Sequence, residues 1–274
     1  MYVVSINISL ILLPSEATTN LPTQAPTRRP GCGLGKQDIV FMLESSSSVG
    51  RYGFRRMLDF MKDFLYNYDV DAGQVRVGVV TYGTDVTIVF FLDTFTRRQI
   101  LFEAIDNIPY TRGNTNTAGA LQAMHLAMFN EPNGDRPEAE NIAILITDSV
   151  SNVNYGRTQA EAEDARNAGI TIYAIGVGLA DTTEIKGISS KPSNRHIFLI
   201  QNFAELPDIQ VELYEASCPG NVENASTARD LLVVLPKLIY VTQSQFPLVV
   251  LVSASIARRQ FSLAQQKAYC FFNL

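Results

Sequence analysis

Histidine, cysteine and clustered basic residues are scarce in this chain, and each scarcity narrows the function. The two histidines, His125 and His196, have neither a paired nucleophile nor metal-ligand spacing around them. Structural or surface roles suit both, and no general base for hydrolysis stands out among the remaining side chains. A net charge of −5 and a pI near 5.1, without basic or aromatic-basic clusters, argue against nucleic acid and against an anionic membrane surface. The expected partners are proteins. Gly176 and Gly178 lack the full dinucleotide spacing and end a late strand, which discounts nucleotide binding. Only three cysteines occur: Cys32 before the first strand, Cys218 after the last helical pattern, and Cys270 near the C-terminus.

Apolar residues, by contrast, make up 46% of the chain, ample for one large core. After Cys32, strand-like and helix-like periodicities alternate, which predicts an α/β fold: a doubly wound, mostly parallel six-stranded sheet with one antiparallel edge strand. Strands are expected at 38–43, 74–82, 84–92, 142–147, 171–177 and 196–200. Helices are expected at 52–67, 96–107, 118–129, 158–168 and 203–216. The first strand is a continuous apolar run and should be central. Phe54, Met57, Leu58, Met61, Phe64 and Leu65 fall on one face of the first helix at core spacing. The segment Pro132 to Pro137 reads as a solvated surface turn.

Three separated segments carry the chemistry. Glu44-Ser45-Ser46-Ser47-Ser48, Gly113-Asn114-Thr115-Asn116-Thr117 and Ile146-Thr147-Asp148 each place hydroxyl or carboxylate oxygens just after a hydrophobic strand or at a helix start. Oxygen-only clusters suit a hard divalent cation, and magnesium, which keeps several waters, can leave a position open for a partner. In a doubly wound sheet ligands sit at the carboxyl ends of strands, where these segments fall.

The runs DIVFMLESSSSVG (38–50), VRVGVVTYG (75–83), NIAILITD (141–148) and ITIYAIGVG (170–178), with the Thr-rich turn between them, resemble a von Willebrand factor A domain over about Asp38 to Cys218. The likeness is to the extracellular-matrix type of matrilins and collagen type VI. It implies a Rossmann-like fold and a site for Mg2+, or Mn2+ or Ca2+, in which Ser46, Ser48 and Thr115 ligate directly while Glu44 and Asp148 act through water. Glu44 stands where the family has aspartate, its carboxylate about 1.5 Å further out. From that displacement alone, Glu44→Asp is expected to tighten the metal. Ser149 replaces the glycine that commonly follows the last aspartate. The resemblance also implies a Cys32–Cys218 disulfide clamping the domain ends, which requires an oxidising compartment.

The implied function is that of a secreted adhesion module of the extracellular matrix, not an enzyme, whose protein ligand, collagen-like chains among the candidates, completes the metal's coordination with an acidic side chain. The alternative is a structural matrix protein whose domain assembles without metal. The flanks agree with export. Residues 1–17 read as a signal peptide with an apolar core at Val3 to Leu13, although no Lys or Arg precedes it, and 18–31 as a Thr/Pro-rich linker. The domain proper spans 32–218. Residues 219–274 form a C-terminal extension carrying a glycosylation sequon at Asn224. Membrane contact arises only if the apolar stretch at 238–257 spans, and Gln243, Gln245 and Pro247 in mid-stretch count against that.

Overall fold

The structure is a computed structural model that describes residues 35–218. The segments read above as a signal peptide and a linker, together with Cys32, Asn224, the apolar C-terminal stretch and Cys270, lie outside the described residues.

Six strands form one sheet: β1 (Lys36–Glu44), β2 (Val75–Tyr82), β3 (Val86–Phe90), β4 (Ala139–Thr147), β5 (Thr171–Val177) and β6 (Ile197–Ile200), in the order β3-β2-β1-β4-β5-β6. All neighbours are parallel except β2 and β3, which form an antiparallel hairpin at one edge. The expected fold class is therefore observed. Alternate residues of the central strand feed two cores. Ile39, Phe41 and Leu43 pack with α1 (Gly50–Leu65) and α7 (Leu206–Ser217), and Val40 and Met42 pack with α3 (Thr117–Ala123) and α4 (Thr158–Asn167). Both faces of β1 are thus buried, which is why its sequence is an unbroken apolar run.

The anticipated helix at 118–129 divides instead. After α3 the backbone widens into a π-helical turn, Met124–Met128, with the Phe129 amide donating to the Met124 carbonyl. The extra residue brings both Met124 and Met128 into the core while Leu126 stays exposed. Gly78 makes room for it, because a β-carbon there would lie 2.4 Å from the Met128 methyl. Besides α2 (Arg98–Asp106), two short helices, α5 (Thr183–Ile188) and α6 (Ser193–His196), are too brief to announce themselves by periodicity. His196 closes α6 rather than opening a strand, and its ring lies against Tyr173.

The surface-turn reading of 132–137 needs correcting at Arg136. That side chain turns inward against the fully buried Asp38, whose Oδ1 accepts from Arg136 Nε at 2.9 Å and Nη2 at 2.6 Å. The Arg136 amide donates to Asp38 Oδ2, and the guanidinium also donates to the Gly73, Gln37 and Gln74 carbonyls. A buried charge pair is tolerated only with this degree of saturation. Burial nonetheless outweighs the guanidinium and holds the Asp38 carboxyl above its ordinary range.

Candidate metal centre

Strand order brings the three oxygen-bearing segments together. β1 lies between β2 and β4, with Leu43 opposite Ile146, so the chain leaving β1 at Glu44 runs beside the chain leaving β4 at Thr147. The four serines after Glu44 then divide by alternation. Ser45 Oγ accepts from the Thr111 amide at 2.8 Å, and Ser47 Oγ from the Gly113 amide at 3.2 Å. These two serines fasten the β1 loop to residues 111–113. Ser46 and Ser48 meet each other instead, Oγ to Oγ at 2.8 Å, and Ser48 donates to Asp148 Oδ1 at 2.7 Å.

Thr115 is brought to the same edge by a loop that two glycines make possible. Gly83 accepts the Asn116 amide on its carbonyl, and a β-carbon on it would sit 2.5 Å from the Arg112 carbonyl oxygen. Gly113 has φ of +117°, a conformation that favours glycine. On its other side Thr115 is held by the segment after β4. Its amide donates to Asn152 Oδ1 at 2.9 Å, while its carbonyl accepts from the Asn152 and Val153 amides and from Ser151 Oγ. Glu184 on α5, whose carboxyl burial pushes up, accepts the Ser151 amide and anchors that segment.

Glu44 lies at the centre of the arrangement. It is fully buried, and each of its carboxylate oxygens has two donors. Oε1 accepts from Thr115 Oγ1 at 2.8 Å and Ser149 Oγ at 2.7 Å; Oε2 accepts from Thr147 Oγ1 at 2.6 Å and the Asp148 amide at 3.0 Å. Four donors fill the acceptor capacity of a carboxylate. The extra methylene therefore does not leave the carboxylate misplaced; the surrounding loops are built to receive it.

The electrostatics point to a cation. Asp148 is pushed up to about 6, first by burial and then by the charge of Glu44, with the Ser48 hydrogen bond opposing. Two carboxylates share one small volume, and no Lys or Arg side chain is among the hydrogen-bond partners of either. Two hydroxyl protons are committed to carboxylates, Thr115 to Glu44 and Ser48 to Asp148, and Ser46 is in contact with Ser48. That leaves hydroxyl lone pairs available, as a hard divalent cation requires. Ser48 is exposed and Asp148 half-buried, whereas Ser46 and Thr115 are 2% exposed, so the cluster opens to solvent on one side only. Among the described residues no three His, Cys, Asp or Glu side chains form a metal-holding group, so a cation held here would draw much of its ligation from hydroxyls.

All five residues singled out in the sequence thus lie in one hydrogen-bonded cluster. Thr147 and Ser149, noted in the sequence but given no role at the site, belong to the same network, and Ser151, Asn152 and Glu184, which were missed, support it. The sequence signal for Ser151 and Asn152 is the Ser- and Asn-rich stretch from Ser149 to Asn154 directly after a buried strand; Glu184, on a separate short helix, has none.

The model of the von Willebrand factor type A domain matches residues 38–212. The chain belongs to that family. Mouse matrilin-4 is 34% identical to it over 77% of this chain and 33% of its own. The collagen alpha-1(XII) chain of Notophthalmus viridescens is 31% identical over 75% of this chain and 22% of its own. The chain accordingly spans a third or less of the length of these relatives. Among solved structures, proximal thread matrix protein 1 from the mussel byssus, in a form with its MIDAS motif occupied by zinc, superimposes with a TM-score of 0.64 at 25% identity, covering 67% of this chain and 48% of that one. The oxygen cluster lies at the carboxyl ends of β1 and β4, the edge of a doubly wound sheet where ligands bind.

Proposed function

We propose that this A domain is a secreted adhesion module of the extracellular matrix that holds a divalent cation, magnesium or else manganese or calcium, at Ser46, Ser48, Thr115 and Asp148, with the Glu44 charge behind Thr115. The cation supplies an open coordination position for an acidic side chain of a protein partner, and collagen-like chains are the first to test. The observation that carries this reading is the cluster itself: two carboxylates with no cationic partner among their hydrogen-bond donors, each receiving the proton of a hydroxyl whose lone pairs stay available. The metal-occupied motif of the mussel protein and the kinship with matrilins and collagens support it. We assign the site to binding rather than turnover on the strength of its matrix relatives.

The second reading, assembly without metal, draws on a specific feature: Glu44 is already saturated by protein donors. The two are separated by calorimetric titration of the purified chain with magnesium and manganese, and by capture of matrix partners with and without chelator. Thr115→Ala is expected to abolish chelator-sensitive capture, and because it also removes one of four donors to the buried Glu44 carboxylate it should lower the thermal transition, so capture is compared at matched folded concentration. Equal capture by wild type and variant at matched folded concentration would favour assembly without metal.

A further inference from the structure

Ser149 touches both the residue that departs from the family pattern and the buried hydroxyl assigned to the metal. Its Oγ donates to Glu44 Oε1 at 2.7 Å and lies 2.9 Å from Thr115 Oγ1. Its backbone is unstrained, because among the described residues with side chains only Arg112 and Asn154 have positive φ. The hydroxyl is therefore there for its contacts, not as a by-product of a turn. Its neighbour is fixed from behind as well: Thr147 Oγ1 accepts the Ser149 amide at 3.4 Å while giving its one proton to Glu44 Oε2 at 2.6 Å.

We propose that Ser149 is a positioning residue of the metal centre, matched to Glu44, and that together they set where the Thr115 hydroxyl presents its lone pairs. The proposal rests on the metal-binding reading above. Glu44 Oε1 receives two hydroxyl protons at once, from Thr115 and Ser149, and Ser149 stands within hydrogen-bond distance of both partners. Removing the Ser149 hydroxyl frees one acceptor site on Glu44 and lets its carboxylate and the Thr115 hydroxyl rotate together. Shortening Glu44 to aspartate withdraws the carboxylate by about one carbon–carbon bond, roughly 1.5 Å. It then cannot keep Thr147 and the Asp148 amide on one oxygen while reaching Thr115 and Ser149 with the other. The expectation drawn from residue length alone is thereby reversed: Glu44→Asp should weaken the metal, and once it is made, the Ser149 hydroxyl should have little left to position.

The test is a double-mutant cycle on the full chain, with magnesium affinity measured calorimetrically for wild type, Ser149→Ala, Glu44→Asp and the double variant. Unfolding in chelator is followed for all four, and Ser149→Gly serves as a second deletion of the same hydroxyl. Each single change is expected to lower affinity by about 10-fold or more, the scale of lost outer-shell support. In the Glu44→Asp background, Ser149→Ala should cost less than about 2-fold, a non-additivity that independent sites do not show. Wild-type affinity in both Ser149 variants, tighter binding by Glu44→Asp, or equal losses in the two backgrounds would each overturn the pairing while leaving the metal reading in place. Absence of magnesium and manganese binding by wild type would remove the metal reading, and this proposal with it.

Discussion

Asp38 and Arg136 lie at the amino end of the strand whose carboxyl end carries Glu44, and the two ends handle buried charge in opposite ways. At the Asp38 end a guanidinium neutralises the carboxylate; at the Glu44 end three hydroxyls and an amide solvate it, with no Lys or Arg among its hydrogen-bond donors in the described residues. Removing one partner of a buried pair costs about 3–5 kcal/mol, because the other charge is left uncompensated. Arg136→Ala should therefore lower the unfolding free energy by that amount near neutral pH. The sign of its pH dependence follows from Asp38. Its folded-state carboxyl lies above 3.8, and the guanidinium is what opposes a larger rise. Without Arg136 the folded form binds the proton more tightly still, so the deficit relative to wild type should shrink as pH falls through that raised pKa. Urea unfolding of both proteins across the acid range measures this. Position 44 is a residue where sequence spacing misleads: a glutamate in an aspartate's place looks overlong until the four donors around it are seen.

Among the elements, the β2–β3 hairpin and the loop before α3 meet at one glycine, Gly83. Gly83 lets the Arg112 backbone approach the turn after β2, and its carbonyl accepts from the residue next to Thr115. A β-carbon would meet backbone rather than a flexible side chain, so the loop must move. Gly83→Ala is expected to destabilise by about 1–3 kcal/mol through overpacking. It should also weaken magnesium although residue 83 offers no ligand, which parallel urea unfolding and metal titration would register. A stability loss with unchanged metal affinity would mean that Thr115 is held by the 151–153 segment alone. Long, strongly periodic elements such as α1 were legible from spacing, because a wide apolar stripe has only one way to be buried. The π turn after α3 was not, since it depends on Met128 finding space over Gly78 on a different strand.

For the molecule as a whole, Cys218 closes the described domain and is disulfide-bonded. Its partner lies outside the described residues, where the family resemblance points to Cys32 rather than Cys270. A non-reducing peptide map is expected to recover a Cys32–Cys218 linkage, and a Cys218–Cys270 peptide would refute the clamp. Loss of the bond in Cys218→Ser should cost about 2–5 kcal/mol, measurable as a lower unfolding midpoint in oxidising buffer.

The sequence by itself determined the alternation of strands and helices, the burial of β1 on both faces and the oxygen-rich character of three strand or helix ends, since these are local properties of spacing and side-chain chemistry. It also carried the family likeness that selected Ser46, Ser48, Thr115, Glu44 and Asp148. Tertiary structure decided which serines of an otherwise uniform run face the cluster, because Ser45 and Ser47 are claimed by residues 111 and 113 across the fold. It decided, too, that Ser149, Asn152 and Glu184 support the site, and that Arg136 is buried rather than solvated. Hydrogen bonds between residues far apart in the chain leave no periodicity behind; they exist only once the sheet has set its strand order.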